Sequence, residues 1–206
     1  MCENITQPPK DKVVKLFNCS NVNYNDYKFT VEGVYSMTPF KVANVISRFI
    51  ISYYRSIHGK APVHILDATA NIGGNSISFC QLFNNVTCIE LKPTTAKILE
   101  HNCKLTKSNN VTIICDDFKN RITNRFLHNV DVIFIDPPWY INGQPNEGLS
   151  LDNNCWNSLP IDDILIRIKN IKKIIVGLKV PKGYTTLIPY NNILPLRKMD
   201  ILFYYL

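Results

Sequence analysis

Val63-His64-Ile65-Leu66-Asp67-Ala68-Thr69-Ala70-Asn71-Ile72-Gly73-Gly74-Asn75 is the stretch that decides the fold. Val63 to Ala68 reads as a short buried strand that ends on an acid. Small residues and paired glycines follow, and helical spacing then runs from about Asn75 to Phe83. Strand, tight turn and helix in that order open a βαβ unit. The alternation continues downstream, with strands over Val86–Glu90, Val111–Cys115 and Val130–Asp136 and a helix over Thr94–Thr106. A helix over Ile161–Ile168, a strand over Lys173–Val180 broken by Lys182-Gly183, and an antiparallel closing strand over Ile201–Tyr205 complete it. This pattern predicts an α/β fold, a mostly parallel sheet with helices on both faces.

Upstream of that stretch, Met1 to Lys28 is polar and Asn-rich and is expected to be loop or partly ordered. Thr38-Pro39 opens a helix, with Thr38 as its cap and Pro39 at its first position. Val42, Val45, Ile46, Phe49, Ile50 and Tyr53 form its apolar stripe, and His58-Gly59-Lys60 ends it. The chain thus divides into an arm with its opening helix, residues 1–60, and the α/β domain, residues 61–206. Tyr140 to Leu159 is a long polar insertion.

The 206 residues are 46% apolar and 19% charged, enough for a sizeable core and against wholesale disorder. The net charge of +7, from 23 basic and 16 acidic residues, favours a polyanionic partner such as nucleic acid. The sequence has no apolar run of membrane-spanning length and no signal-peptide core. Seven cysteines, at 2, 19, 80, 88, 103, 115 and 155, are scattered without a C-x-x-C pair. They read as reduced thiols of an intracellular protein, and no metal site is expected.

In an open parallel sheet, ligands bind outside the carboxyl ends of the strands. Four successive strands here end in Asp67, Glu90, Asp116-Asp117 and Asp136. One such acid is commonplace as a cap or solvated turn; four in succession make a rim. The first turn is not G-x-G-x-x-G and precedes no Gly-Lys-Ser/Thr, which weakens the dinucleotide and P-loop readings. Asp67 suits a positive charge, Glu90 two ribose hydroxyls and Asp117 an adenine amine, together describing S-adenosylmethionine better than NAD. Asp136-Pro137-Pro138-Trp139 places an acid, rigid carbonyls and a large aromatic in sequence. That is a site for a flat base with an exocyclic amine, hydrogen-bonded by carboxylate and carbonyl and stacked on Trp139.

On these residues the sequence resembles the trimethylguanosine synthases, which methylate the N2 amine of the 7-methylguanosine RNA cap. Three stretches carry the likeness: Val34 to Ala43 with its Tyr35-Ser36-Met37-Thr38-Pro39, Asp67 to Asn75, and Phe134-Ile135-Asp136-Pro137-Pro138-Trp139. Val111 to Phe118 adds a weaker match. The resemblance implies a Rossmann-like methyltransferase fold and S-adenosylmethionine as cofactor. Cofactor contacts are expected from Thr38, Asp67, Ala68, Thr69, Ala70, Asn71, Gly73, Gly74, Asn75, Glu90, Leu91, Asp117, Phe118 and Asp136. Asp136, Pro137 and Trp139 are the expected catalytic residues, and Pro138, Trp139 and Tyr140 the base-binding ones. The implied partner is capped RNA, met by a monomer in the nucleus or cytoplasm, of cellular or viral origin.

The sequence departs from the family pattern in three places. Asn71 stands where the family usually has Gly. Asp136 replaces a Ser, as in enzymes that methylate adenine N6 or guanine N2 in DNA and ribosomal RNA. Tyr140-Ile141-Asn142-Gly143 replaces the usual Gly-rich follow-on. An internal-base methyltransferase is therefore the first alternative, and an inactive RNA-binding subunit of the same fold the second. Trp156 could supply a second stacking face or merely anchor its loop. Tyr24, Tyr27 and Phe29 could wall the base site or cover the core. Lys169, Lys172 and Lys173 could touch RNA or end a solvated helix, and His58, His64, His101 and His128 are expected at the surface or in loops.

Overall fold

The computed structural model describes residues 5–17, 22–141, 144–146, 149–151 and 159–206. Elements in chain order are β1 (Ile5–Thr6), α1 (Lys10–Phe17), β2 (Phe29–Thr30), α2 (Val31–Ser36), α3 (Phe40–His58), β3 (His64–Asp67), α4 (Ser76–Leu82), β4 (Asn85–Glu90), α5 (Pro93–Leu105) and β5 (Val111–Cys115). There follow α6 (Asn124–Leu127), β6 (Val132–Ile135), β7 (Tyr140–Ile141), β8 (Gln144–Pro145), α7 (Ile161–Lys169), β9 (Ile175–Pro181), β10 (Asn192–Pro195) and β11 (Met199–Tyr205). The result is an α/β fold with a mostly parallel seven-stranded sheet flanked by helices, as the alternation predicts. The chain forms two compact units, Met1–Phe118 and Lys119–Leu206.

In the first unit, β3 pairs with β4 and β4 with β5, all parallel. Leu66 and Ile65 of β3 and Val86, Cys88 and Ile89 of β4 are buried, as expected of strands covered on both faces. The arm is not a loop: Val13, Leu16 and Phe17 recur at helical spacing, form the buried side of α1, and Phe17 stacks on Tyr27 at 4.2 Å. Tyr27 and Phe29 are 1% and 0% exposed, so they cover core rather than wall a base site.

The opening helix starts one residue later than expected. Pro39 is extended (ψ 141°) at the N-cap, and its carbonyl accepts the N–H groups of Val42 and Ala43. Gly59 ends the helix at φ 71°, its N–H donating to the Arg55 carbonyl, as a left-handed glycine cap does.

In the second unit, β6 and β9 run parallel, β11 returns antiparallel beside β9, and β10 lies antiparallel to β11. The β10 strand was not expected from sequence. All four residues of β6 are buried, as are Ile175 to Val180 of β9. Gly177 has a specific cause: a Cβ there would lie 3.2 Å from Phe203 and 3.3 Å from Phe134, the residues paired with it on either side. Lys172 donates to the carbonyls of Leu127, His128 and Val130, so it locks this unit rather than facing RNA. Among the described residues no helix is long and apolar enough to cross a membrane, and no cluster of His, Cys, Asp and Glu could hold a metal.

Candidate functional site: a cofactor turn and a base motif

The turn after β3 is held from within. Asp67 is 1% exposed; its Oδ2 accepts the Ser76 hydroxyl at 2.6 Å, and its Oδ1 the Thr69 N–H at 3.4 Å. It therefore fastens the turn to the first residue of α4. The two glycines serve packing as well as conformation. Gly73 has φ 107°, and a Cβ on Gly74 would stand 2.7 Å from Met37 and 3.0 Å from the Thr38 backbone. That close approach brings Thr38, itself 2% exposed, against the turn. Ala68, Ala70 and Asn75 are buried within it, and Thr69 is half-buried.

Asn71 explains its own departure from glycine. Its φ is 49°, in the left-handed region where Asn is the best-tolerated residue after Gly. Its side chain donates to Ser36 Oγ at 2.9 Å and accepts the Ile72 N–H at 2.8 Å. A β-branched residue fits that backbone badly. We expect Asn71→Val to lose ~1–3 kcal/mol in urea unfolding and Asn71→Gly to stay within ~1 kcal/mol of wild type. Equal stability of the two variants would show that conformation is not what selects Asn71.

Glu90, at the end of β4, accepts the Asn71 N–H on Oε2 and the Lys92 N–H on Oε1, each at 2.9 Å. A carboxylate has about four lone-pair directions, so these two bonds orient Glu90 without exhausting it. Leu91 beside it is 45% exposed. At the end of β5 the Asp117 N–H donates to Asp116, and Phe118 is buried. An oriented acceptor at the end of β4, with the exposed Leu91 beside it, suits the diol of a nucleoside. The backbone-anchored Glu90 carboxylate at a strand end is compatible with a nucleoside cofactor.

Sequence reasoning missed Asn102, fully buried on α5. It bonds both backbone groups of Lys28 and the carbonyl of Ile72, tying the arm to the turn. A polar residue on the buried stripe of a helix was the available signal.

In the second unit, Asp136 follows β6 directly. Pro137 is buried, Pro138 and Trp139 are half-buried, and Tyr140 is 66% exposed. Asn146 braces this motif: its amide donates to the Pro138 carbonyl at 2.7 Å and the Ser150 carbonyl at 3.1 Å. Its backbone N–H donates to the Trp139 carbonyl at 2.8 Å. The Pro138 and Trp139 carbonyls are thus engaged by the loop that follows. Asn146 had no sequence signal, lying among other polar loop residues. Lys179 of β9 is the larger surprise. It is 3% exposed, its ammonium lies 2.6 Å from Asp136 Oδ2 and 5.2 Å from the Trp139 ring centroid. A lone Lys inside the apolar run Ile174-Ile175-Val176-Gly177-Leu178-Lys179-Val180 was its signal. Trp156 lies outside the described residues.

Two solved structures share the fold: a putative methyltransferase from Porphyromonas gingivalis (TM-score 0.62, 16% identity, 85% of this chain and 42% of that one) and a putative methyltransferase from Escherichia coli (TM-score 0.52, 12% identity, 81% and 89%). An uncharacterized protein of Acanthamoeba polyphaga mimivirus is 31% identical over 121 residues, 58% of this chain. The chain spans about half the length of that relative, 46%. The model of the RNA cap guanine-N2 methyltransferase family matches residues 63–187, which takes in the turn, Glu90, Asp117, Asp136 to Trp139 and Lys179. The chain therefore belongs to the RNA cap guanine-N2 methyltransferase family.

Proposed function

We propose that this chain methylates the exocyclic N2 amine of 7-methylguanosine caps on RNA. The observation that carries the reading is the family match over residues 63–187, with Asp136-Pro137-Pro138-Trp139 inside it as a rigid acid–carbonyl–aromatic motif. Thr38, the turn from Asp67 to Asn75, Glu90, Leu91, Asp117 and Phe118 hold the cofactor. When bound, S-adenosylmethionine supplies an electrophilic methyl, its carbon–sulfur bond breaking with the electron pair kept by sulfur.

The amine is a poor nucleophile because its lone pair is delocalised into the ring. Asp136 and the Pro137 carbonyl accept its N–H groups and favour a pyramidal nitrogen, which forms the new N–C bond. The nitrogen, cationic after alkylation, becomes acidic and loses its proton to Asp136 or water; no strong base is required. Positioning and a fixed electrostatic environment supply the remainder. Trp139 stacks on the base, and 7-methylguanine, being cationic, adds a charge–π attraction of about 1–2 kcal/mol. The +7 balance suits the cap triphosphate and RNA backbone.

Asp136 in place of Ser favours a second reading, an adenine-N6 or guanine-N2 methyltransferase acting on internal sites. Calorimetry with S-adenosylhomocysteine present separates the two, with 7-methylated and unmethylated cap dinucleotides as titrants. Preference for the 7-methylated cap is expected; equal or absent binding of both favours the internal-base reading. In the same assay Asn146→Ala should weaken cap binding about three- to tenfold, because bonds worth ~1 kcal/mol each brace the Pro138-Trp139 backbone. Its affinity for S-adenosylhomocysteine should not change.

A further inference from the structure

We propose that Lys179 is a positioning and specificity residue of the base pocket, pairing with Asp136 so that the pocket presents a fixed carboxylate with no net charge to the base. The proposal rests on the cap reading above and concerns the charge of the base that the same site accepts.

Strand register places the pair. Phe134 of β6 is opposite Gly177 of β9, and Ile135 is opposite Leu178. Asp136 is the next residue beyond that ladder, and Lys179 the next on β9. Residues two apart on a strand share a face. Asp136 therefore shares a face with Phe134, and Lys179 with Gly177. On this face the missing side chain of Gly177 accommodates the rings of Phe134 and Phe203, and one step further stands the ion pair.

Burial makes the pair interdependent. The side chains are 4% and 17% exposed, and an ammonium or carboxylate at such a depth is costly unless matched. Lys179 fixes the rotation of the Asp136 carboxylate through Oδ2, which holds Oδ1 in one place. The same ammonium lies 5.2 Å from the Trp139 centroid, so both groups assigned to the base answer to one cation.

The charge balance has a directional consequence. Without Lys179 the pocket loses one positive charge beside Asp136 and gains preference for a cationic base. Without the Asp136 charge it loses one negative charge beside Lys179 and Trp139 and turns against a cationic base. With both charges removed the preference returns.

The test is the ratio of affinities for 7-methylguanosine triphosphate and GTP, measured calorimetrically with S-adenosylhomocysteine bound. Lys179→Met should shift the ratio about tenfold toward the 7-methylated base and Asp136→Asn about tenfold away from it, as charges several ångströms apart in a partly buried site interact. The double variant Asp136→Asn with Lys179→Met should lie within about threefold of wild type, since coupled neighbours are non-additive. A purely structural pair lowers stability without moving this ratio in opposite directions. If either single variant fails to fold, the other single variant and the double carry the comparison. Shifts in the same direction, no shift, or a double variant as displaced as a single one overturn the proposal. Wild-type protein that binds neither nucleotide removes the cap reading and the proposal with it; wild type that discriminates, with variants that do not shift, removes the proposal alone.

Discussion

Asp136→Ala should abolish methyl transfer while the protein still binds S-adenosylhomocysteine. The variant removes the carboxylate that accepts the amine N–H and leaves the Lys179 ammonium buried without it. Loss of one positioned polar group at a reacting centre costs on the order of 10²–10³ in rate. Removing one partner of a buried ion pair costs a further ~3–5 kcal/mol in stability, which lowers the melting temperature by on the order of 10 °C. Single-turnover transfer of labelled methyl, run well below the variant's melting temperature, separates the two effects. Glu90, Asn71 and Asp117, the residues proposed to hold the cofactor, lie elsewhere in the chain and are unchanged in the variant, so cofactor affinity is the internal control. Turnover within threefold of wild type would remove Asp136 from the chemistry.

Trp139→Ala carries the second large effect, on substrate binding. Base–aromatic stacking is worth about 1–3 kcal/mol, and the cationic base adds its charge–π attraction. Together, at about 2–5 kcal/mol, these predict cap affinity weaker by at least roughly 30-fold, with Trp139→Phe retaining most of it. The two arms of the measurement matter. A weaker KM for the 7-methylated cap with kcat nearly kept marks a binding role; a loss confined to kcat would mean that Trp139 places the amine rather than holds the ring. Undiminished affinity in Trp139→Ala would show that the base stacks elsewhere.

The alternation of strands and helices was legible because each strand is a short apolar run bounded by polar turn residues. Val111–Cys115 is observed with the expected bounds, and the other expected strands and helices differ by one or two residues at their ends. The arm was misread because α1 has only three buried residues in an Asn- and Lys-rich context, and its helix is fixed by tertiary stacking of Phe17 on Tyr27. The β10 strand was hidden for a related reason: Asn192–Pro195 is short and ends in Pro, and its pairing with β11 defines it. At the site, Glu90 and Asp136 could be placed from sequence because an acid one step past an apolar run must sit at the sheet's rim. Lys179 could not, because its role depends on the register between β6 and β9, whose paired residues Ile135 and Leu178 are 43 residues apart in the chain, beyond the reach of any local pattern.

The most direct test of the central claim is transfer of labelled methyl from S-adenosylmethionine to three substrates side by side: RNA with a 7-methylated cap, RNA with an unmethylated cap, and uncapped RNA. The account predicts label only on the 7-methylated cap, recovered after digestion as N2-methylated 7-methylguanosine. Label entering uncapped RNA, with none on the cap, would contradict it.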